Sequence, residues 1–320
     1  MAIWLSEEDV RAVLPLGELI ESMERALAAF SSGQVRQPVR TVIEAGLPGT
    51  FFATMPAFLE AGPVMGAKLV TLFPPNAHKG LPTHQAAIVL MDALSGELLA
   101  VMDGRYITEV RTAASSAVAL RALGRSGAKT LALVGSGVQA GSHLAAFALV
   151  RKFEEVRCWS PTKANLRKFA AAHPEVRMAA SAEEAVRGAD VVAIVTASVT
   201  PVVWNDWVAD GACVISVGAC VPTHREMDPK LVARGRLVAD SRAAALRESG
   251  DVVMAMAEGY FGPEHVAAEI GAVVSGAAAG RTSEAEVTIY KPLGIAVEDV
   301  AAAQLVYARA QSEGRGMRLD

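Results

Sequence analysis

Cysteine is scarce in this chain of 320 residues, three in all, and none stands in C-x-x-C spacing. That argues against a disulfide scaffold and a thiolate metal site, and Cys158, Cys213 and Cys220 read as buried thiols of a reducing compartment. The six histidines never fall at the H-x-x-x-H spacing of a helical metal pair, so no metal is assigned. No G-x-S-x-G elbow is present, which removes the usual serine-hydrolase geometry. Long apolar runs are missing as well: none reaches the roughly eighteen residues of a membrane span, and MAIWLSEEDVRAVL carries acids where a signal peptide needs a basic start. A cytoplasmic protein with no membrane partner is expected. A positive excess is also lacking. The formal net charge is −4 and Lys and Arg form no run, so no nucleic acid is expected as partner and a small molecule is.

What is present is apolar sequence in short, punctuated pieces, enough at this length for two domains. GELIESMERALAAF has helical spacing, VRQPVRTVIEA, TFFATMP and VMGAKLVTLF are extended in type, and AAIVLMD-ALSG-ELLAVMD reads as a hairpin. YITEVRTAASSAVALRAL follows as a helix, and GRSGAK marks a boundary near Arg125. Beyond it strands and helices alternate, with Ser181 and Glu184 placed to cap one helix, and VVAIVT and CVISVG are apolar throughout. Such strands suit a parallel sheet covered on both faces. After about Arg281 the character changes again, and AVEDVAAAQLVYARAQ reads as a helix returning to the first domain. The expected segments are 1–125 with 282–320, and 126–281.

Within the second segment, LALVGSGVQAGSHLAAF places an apolar strand, a glycine turn and a helix in succession, with another strand about twenty residues on, the setting of a dinucleotide fingerprint. Gly135 would allow the tight turn, and Gly137 would let a pyrophosphate approach the positive end of the helix, with Val138 and Gln139 opening it. Ala140 stands for the third glycine. The fold class expected is therefore α/β, a Rossmann-type doubly wound parallel sheet beside an α+β domain built from both chain ends. At the end of the next strand, where an acid would favour NAD, the chain reads Ser160, Pro161, Thr162, Lys163. Hydroxyls and a cation there favour NADP(H), with NAD(H) the alternative. Capping of the following helix by Ser160 or Thr162 is the competing use of those hydroxyls.

Arg40 in PVRTVIEA, Lys68 in MGAKLVTLF and Arg111 in ITEVRTAASSA are cations in apolar surroundings. Each has a carboxylate partner in the fold or awaits an anionic ligand, because an unpaired buried cation is costly. Arg111, read as lying near a helix start, opposes the dipole, and the small residues after it leave room for a ligand. His84, between a polar strand start and an apolar strand, could donate to a substrate or cofactor. Asp228, Asp251 and Asp299 are candidate acids for which exposed loop or helix-capping roles are expected.

QPVRT, KLVT, PTHQAA, LLAVMDG, ITEVRTAA, GSGVQA, Ser249-Gly250-Asp251 and KPLGIAVED, in this order over nearly the whole chain, resemble the ornithine cyclodeaminase and mu-crystallin family, closer to its ketimine reductase branch. The resemblance implies a Rossmann domain inserted in a substrate-binding domain, with two substrate domains pairing their sheets into a homodimer. It implies that Arg40, Lys68 and Arg111 surround a substrate carboxylate. Lys68, Arg111 and His84 are the catalytic candidates, and because a protonated iminium is the better hydride acceptor, Lys68, His84 or a bound water could keep it charged, with Lys68 favoured. It also implies that Thr83, His84 and Gln85 approach the nicotinamide, with Thr112, Thr196 and Val217 completing the cofactor contacts. Cyclodeaminases of the family carry an aspartate where this chain has Ala219, so the expected activity is NAD(P)H-dependent reduction of a carboxylate-bearing imine. A cyclodeaminase that retains NAD and a ligand-binding, crystallin-like protein are the alternatives.

Overall fold

The computed structural model describes residues 2–60 and 62–319, and these divide into two compact units, one formed by those up to Arg111 together with those from Gly294 onward, the other Thr112–Leu293. The first unit opens with β1 (Ala2–Leu5), α1 (Glu7–Val13) and α2 (Leu16–Ser31). It continues through β2 (Val35–Arg36), β3 (Thr41–Glu44), β4 (Phe51–Leu59), β5 (Val64–Leu72), β6 (His84–Asp92) and β7 (Leu98–Asp103). The division falls inside α3 (Arg105–Leu123). The second unit alternates β8 (Thr130–Val134), α4 (Val138–Val150), β9 (Glu155–Trp159), α5 (Lys163–Ala172), β10 (Val176–Met178), α6 (Ala182–Val186), β11 (Val191–Ile194) and β12 (Cys213–Ser216). It is completed by α7 (Pro229–Arg234), β13 (Arg236–Ala239), α8 (Arg242–Glu248), α9 (Gly250–Ala257), β14 (Val266–Glu269), α10 (Ile270–Val274) and β15 (Thr288–Lys291). The chain then returns to the first unit with α11 (Ala296–Glu313) and β16 (Met317–Leu319).

In the first unit the sheet order is β16-β1-β7-β6-β5-β4-β2, with β3 also on β4. The register sets Lys68 of β5 opposite Met55 and Ile88, and Leu72 opposite His84. Because side chains alternate along a strand, Lys68, Val70, Ile88 and His84 share one face. That face is packed against α11, which in turn packs on α2, whose Leu19, Ile20, Met23 and Leu27 stand at helical spacing and are almost fully buried. The opposite face carries a groove of about 520 Å³ lined by Pro56, Phe58, Met65, Ala67, Val89 and Met91.

The second sheet runs β10-β9-β8-β11-β12-β15-β13-β14, parallel at every pairing. VVAI, CVIS and TIYK are buried at every position, as strands covered by helices on both faces are, although Ser216, Thr288 and Lys291 among them are polar. The strand order reverses between β8 and β11, which makes the carboxyl end of β8 the topological switch point. One feature differs from the sequence reading. β15, assigned above to the returning segment after residue 281, lies between β12 and β13, because TIYK pairs on both edges while the composition change before it marks only a loop.

Candidate functional site

In the first unit the three cations gather around α11. Lys68 Nζ lies 2.7 Å from Asp299 Oδ2, Arg111 Nε donates to Asp299 Oδ1 at 3.0 Å, and Arg111 Nη1 donates to Glu298 Oε2 at 2.7 Å. Lys68 is 2% exposed, Arg111 5%, and both acids 0%. Glu298 and Asp299 occupy the first turn of α11, where the helix dipole favours negative charge. Just before them, Gly294 is left-handed at φ 78°, and a side chain there would stand 2.6 and 2.7 Å from the two Arg111 Nη atoms. Its carbonyl accepts from Arg40 Nη2 at 3.4 Å. Lys68 and Arg111 are buried and Arg40 is half-buried, so three cations meet beside the two carboxylates at the start of α11.

Two expectations are corrected here. Asp299, read as a loop or capping acid, is fully buried and bridges Lys68 and Arg111; Asp251 is buried as well, and only Asp228 caps a helix, accepting from Lys230 N at 3.0 Å. Arg111 is not at a helix start. α3 begins at Arg105, which puts Arg111 in the second turn, beyond most of the dipole's reach. Its ion pairs stabilise it instead.

Burial pulls the Lys68 ammonium down to about 8, with Asp299 opposing and Arg111 and Arg40 assisting. His84 is pulled down to about 4, by burial first and then by Lys68 and Arg111, so it is neutral at neutral pH. Gln85, the next residue, is exposed and by alternation points to the other face of the sheet, away from His84. Thr83, half-buried, accepts from Phe73 N through its carbonyl at 2.7 Å.

In the second unit the glycine turn leaves β8 at the switch point. Gly135 has φ 116°, and a side chain there would lie 2.6 Å from the Val195 carbonyl oxygen. Gly137 takes the N-cap of α4 with open space above it, Val138 is exposed, Gln139 half-buried and Ala140 fully buried. No acid stands in the first turn of α4. At the end of β9, Ser160 is buried while Pro161, Thr162 and Lys163 are exposed. Thr162 takes the N-cap position of α5 without a side-chain capping bond. Trp159, Ser160, Pro161, Lys163, Arg167 and Met178 line a cavity of about 500 Å³ to which no carboxylate contributes. Arg167 escaped the sequence reading, although its spacing of four from Lys163 on one helix could have shown it. Thr112, Thr196 and Val217 are half-buried, the last two at the ends of β11 and β12, and Val217 N donates to the Ile194 carbonyl at 2.8 Å.

A doubly wound parallel sheet with a glycine turn at its switch point defines a dinucleotide-binding α/β protein. The chain belongs to the ornithine cyclodeaminase/mu-crystallin family, whose sequence profile matches residues 2–314. It is 43% identical over 309 residues to the ketimine reductase mu-crystallin of Mus musculus, covering 95% of this chain and 96% of that protein. Among solved structures it is similar to the Thermococcus litoralis Delta(1)-pyrroline-2-carboxylate reductase in complex with NADH and L-proline, at 36% identity and TM-score 0.96, covering 99% of this chain and 100% of that one. It is also similar to an archaeal alanine dehydrogenase dimer with bound NAD, at 31% identity and TM-score 0.95, covering 100% of this chain and 99% of that one.

Proposed function

We propose that this chain is an NAD(P)H-dependent reductase of small imines that carry a carboxylate, yielding the amino acid, with NADP(H) the favoured cofactor. The gathering of Arg40, Lys68 and Arg111 at the start of α11 carries the reading, because cations held together largely out of water favour a substrate carboxylate. Arg111 offers a planar fork to that carboxylate, and Asp299 holds the fork and Lys68 in place. Lys68, protonated at neutral pH, gives a proton to the imine nitrogen. The nicotinamide cofactor, when bound, supplies the hydride that goes to the C=N carbon. Together they turn C=N into CH–NH. Gly135, Gly137 and the α4 amino terminus would hold its pyrophosphate.

NADPH oxidation against five- and six-membered cyclic imino acids, and against pyruvate with amines, tests the activity. One NADPH consumed per imine and negligible ammonia from ornithine are expected, because Ala219 has no carboxylate for an amine. Ammonia and proline from ornithine at constant cofactor absorbance would replace this reading by a cyclodeaminase, and tight NADPH binding with neither activity would leave a binding protein.

The cofactor preference follows from Ser160, Lys163 and Arg167. Fluorescence titration is expected to give NADPH a lower Kd than NADH by about tenfold, and Ser160→Asp to reverse the order. Equal affinities would remove the argument.

The apolar groove on the open face of the first unit's sheet is the surface proposed for pairing two copies of the chain. Ala67→Glu on that face is expected to convert a dimer into a monomer by light scattering, and an unchanged dimer mass would place the contact elsewhere.

A further inference from the structure

At the carboxyl end of β12 four side chains lie out of solvent: Ser216, Glu226 and Lys291 at 0% exposure and Asp251 at 1%. Lys291 Nζ donates to the Ser216 carbonyl at 3.0 Å and to the Gly218 carbonyl, and lies 3.3 Å from Asp251 Oδ2. Asp251 Oδ1 accepts the backbone N–H groups of Glu226 and Met227 at 2.8 and 2.9 Å. Glu226 Oε1 accepts from Thr196 N at 2.8 Å and from Thr196 Oγ1 at 2.6 Å, and Oε2 accepts from Ser216 Oγ at 3.1 Å. One cluster therefore ties the turn after β11 to the turn after β12.

The tied turns hold a shape that the backbone does not choose by itself. A side chain at Gly218 would stand 2.3 Å from the Thr196 carbonyl oxygen and 2.5 Å from Glu226 Oε1. Ala219, next to it, has φ 50°, the one non-glycine residue in the left-handed region among the described residues. Burying two carboxylates and an ammonium is expensive, and apolar residues of equal volume would pack as well while holding neither turn. Both turns lie at the carboxyl edge of the parallel strands, where α/β sheets receive ligands. The elements that would hold the pyrophosphate and the adenosine half, the β8–α4 turn and the end of β9, take no part in the cluster.

We propose that Glu226, anchored by Asp251 and Lys291, is a positioning residue that sets the Thr196 and Val217–Ala219 turns to receive the nicotinamide half of the dinucleotide. This rests on the dinucleotide reading above. Burial pushes the Glu226 carboxyl up to about 7 against the pull of Lys291, so an amide of the same shape is a fair substitute for it. Glu226→Gln keeps an acceptor for Thr196 and a polar atom facing Ser216, whereas Glu226→Ala keeps neither.

The test compares binding of NADPH, NADH and ADP-ribose, which lacks the nicotinamide, to the full-length protein and its variants by fluorescence. Glu226→Ala is expected to weaken the preferred dinucleotide by about tenfold while ADP-ribose stays within about twofold, and Glu226→Gln to restore most of the loss. Ser216→Ala, a small change that removes one donor to Glu226, is expected to give a weaker loss of the same selectivity, and serves if Glu226→Ala does not fold. Equal losses for dinucleotide and ADP-ribose, or undiminished dinucleotide binding in both Glu226→Ala and Ser216→Ala, would overturn the proposal. A wild-type protein that binds none of the three ligands would instead overturn the dinucleotide reading.

Discussion

Arg111→Lys is expected to lower kcat/KM for a carboxylate-bearing imine about thirtyfold or more, roughly 2 kcal/mol of transition-state stabilisation. Lysine can neutralise one of the two acids, but it cannot reproduce the fork that meets Asp299 through Nε and Glu298 through Nη1. Nor can it fill the space that Gly294 leaves for the guanidinium. The decisive measurement is kcat/KM for paired imines with and without the carboxylate. The ratio between them should collapse in the variant, since of the two substrates only the one with a carboxylate draws on the guanidinium that the two acids orient. Near-normal kcat/KM with a lower Tm would make Arg111 a purely structural ion-pair residue.

Lys68→Met is expected to reduce kcat about a hundredfold, the usual worth of a positioned acid. The pH profile of the wild type supplies an independent check. Burial holds the Lys68 ammonium near 8, below its ordinary value, so the group is charged below that pH and neutral above it. An acid in that position gives kcat/KM that is flat towards neutrality and falls as pH rises through about 8. His84, held near 4, is uncharged on both sides of that limb and does not produce it. A profile that falls only above pH 10, or a Lys68→Met variant with full kcat, would assign the proton to another donor.

Which parts of this were legible beforehand follows from the range of the interactions. The glycine turn could be read because strand, turn and helix are adjacent in the chain, and Gly135 and Gly137 act on their immediate neighbours. The cations could be read as anomalies, since Lys68 interrupts an apolar strand and Arg111 a small-residue helix. Their partners could not. Asp299 and Glu298 lie 188 and 187 positions from Arg111, and in AVEDVAAA they resemble an ordinary acidic first turn. Lys291 and Glu226 are hidden for the same reason, because their contacts are with carbonyls, amide groups and acids brought together only by the parallel sheet. The placement of β15 shows the limit of composition: TIYK looks like any short strand, and nothing local says which two neighbours it separates.

That placement also governs when the protein can fold. β13 and β14 join the second sheet only through β15, which is made after both of them. Until residues 288–291 leave the ribosome, β12 and β13 each present an open edge, the state in which strands pair with other chains. The first unit waits longer still, since α11 covers its sheet and β16 borders β1. The second unit lacks a central strand until β15 is made, and the first lacks its covering helix and an edge strand until α11 and β16 are made. A message truncated shortly before codon 288 is expected to yield an aggregating chain, although the glycine turn and all three cations of the cluster are present in it.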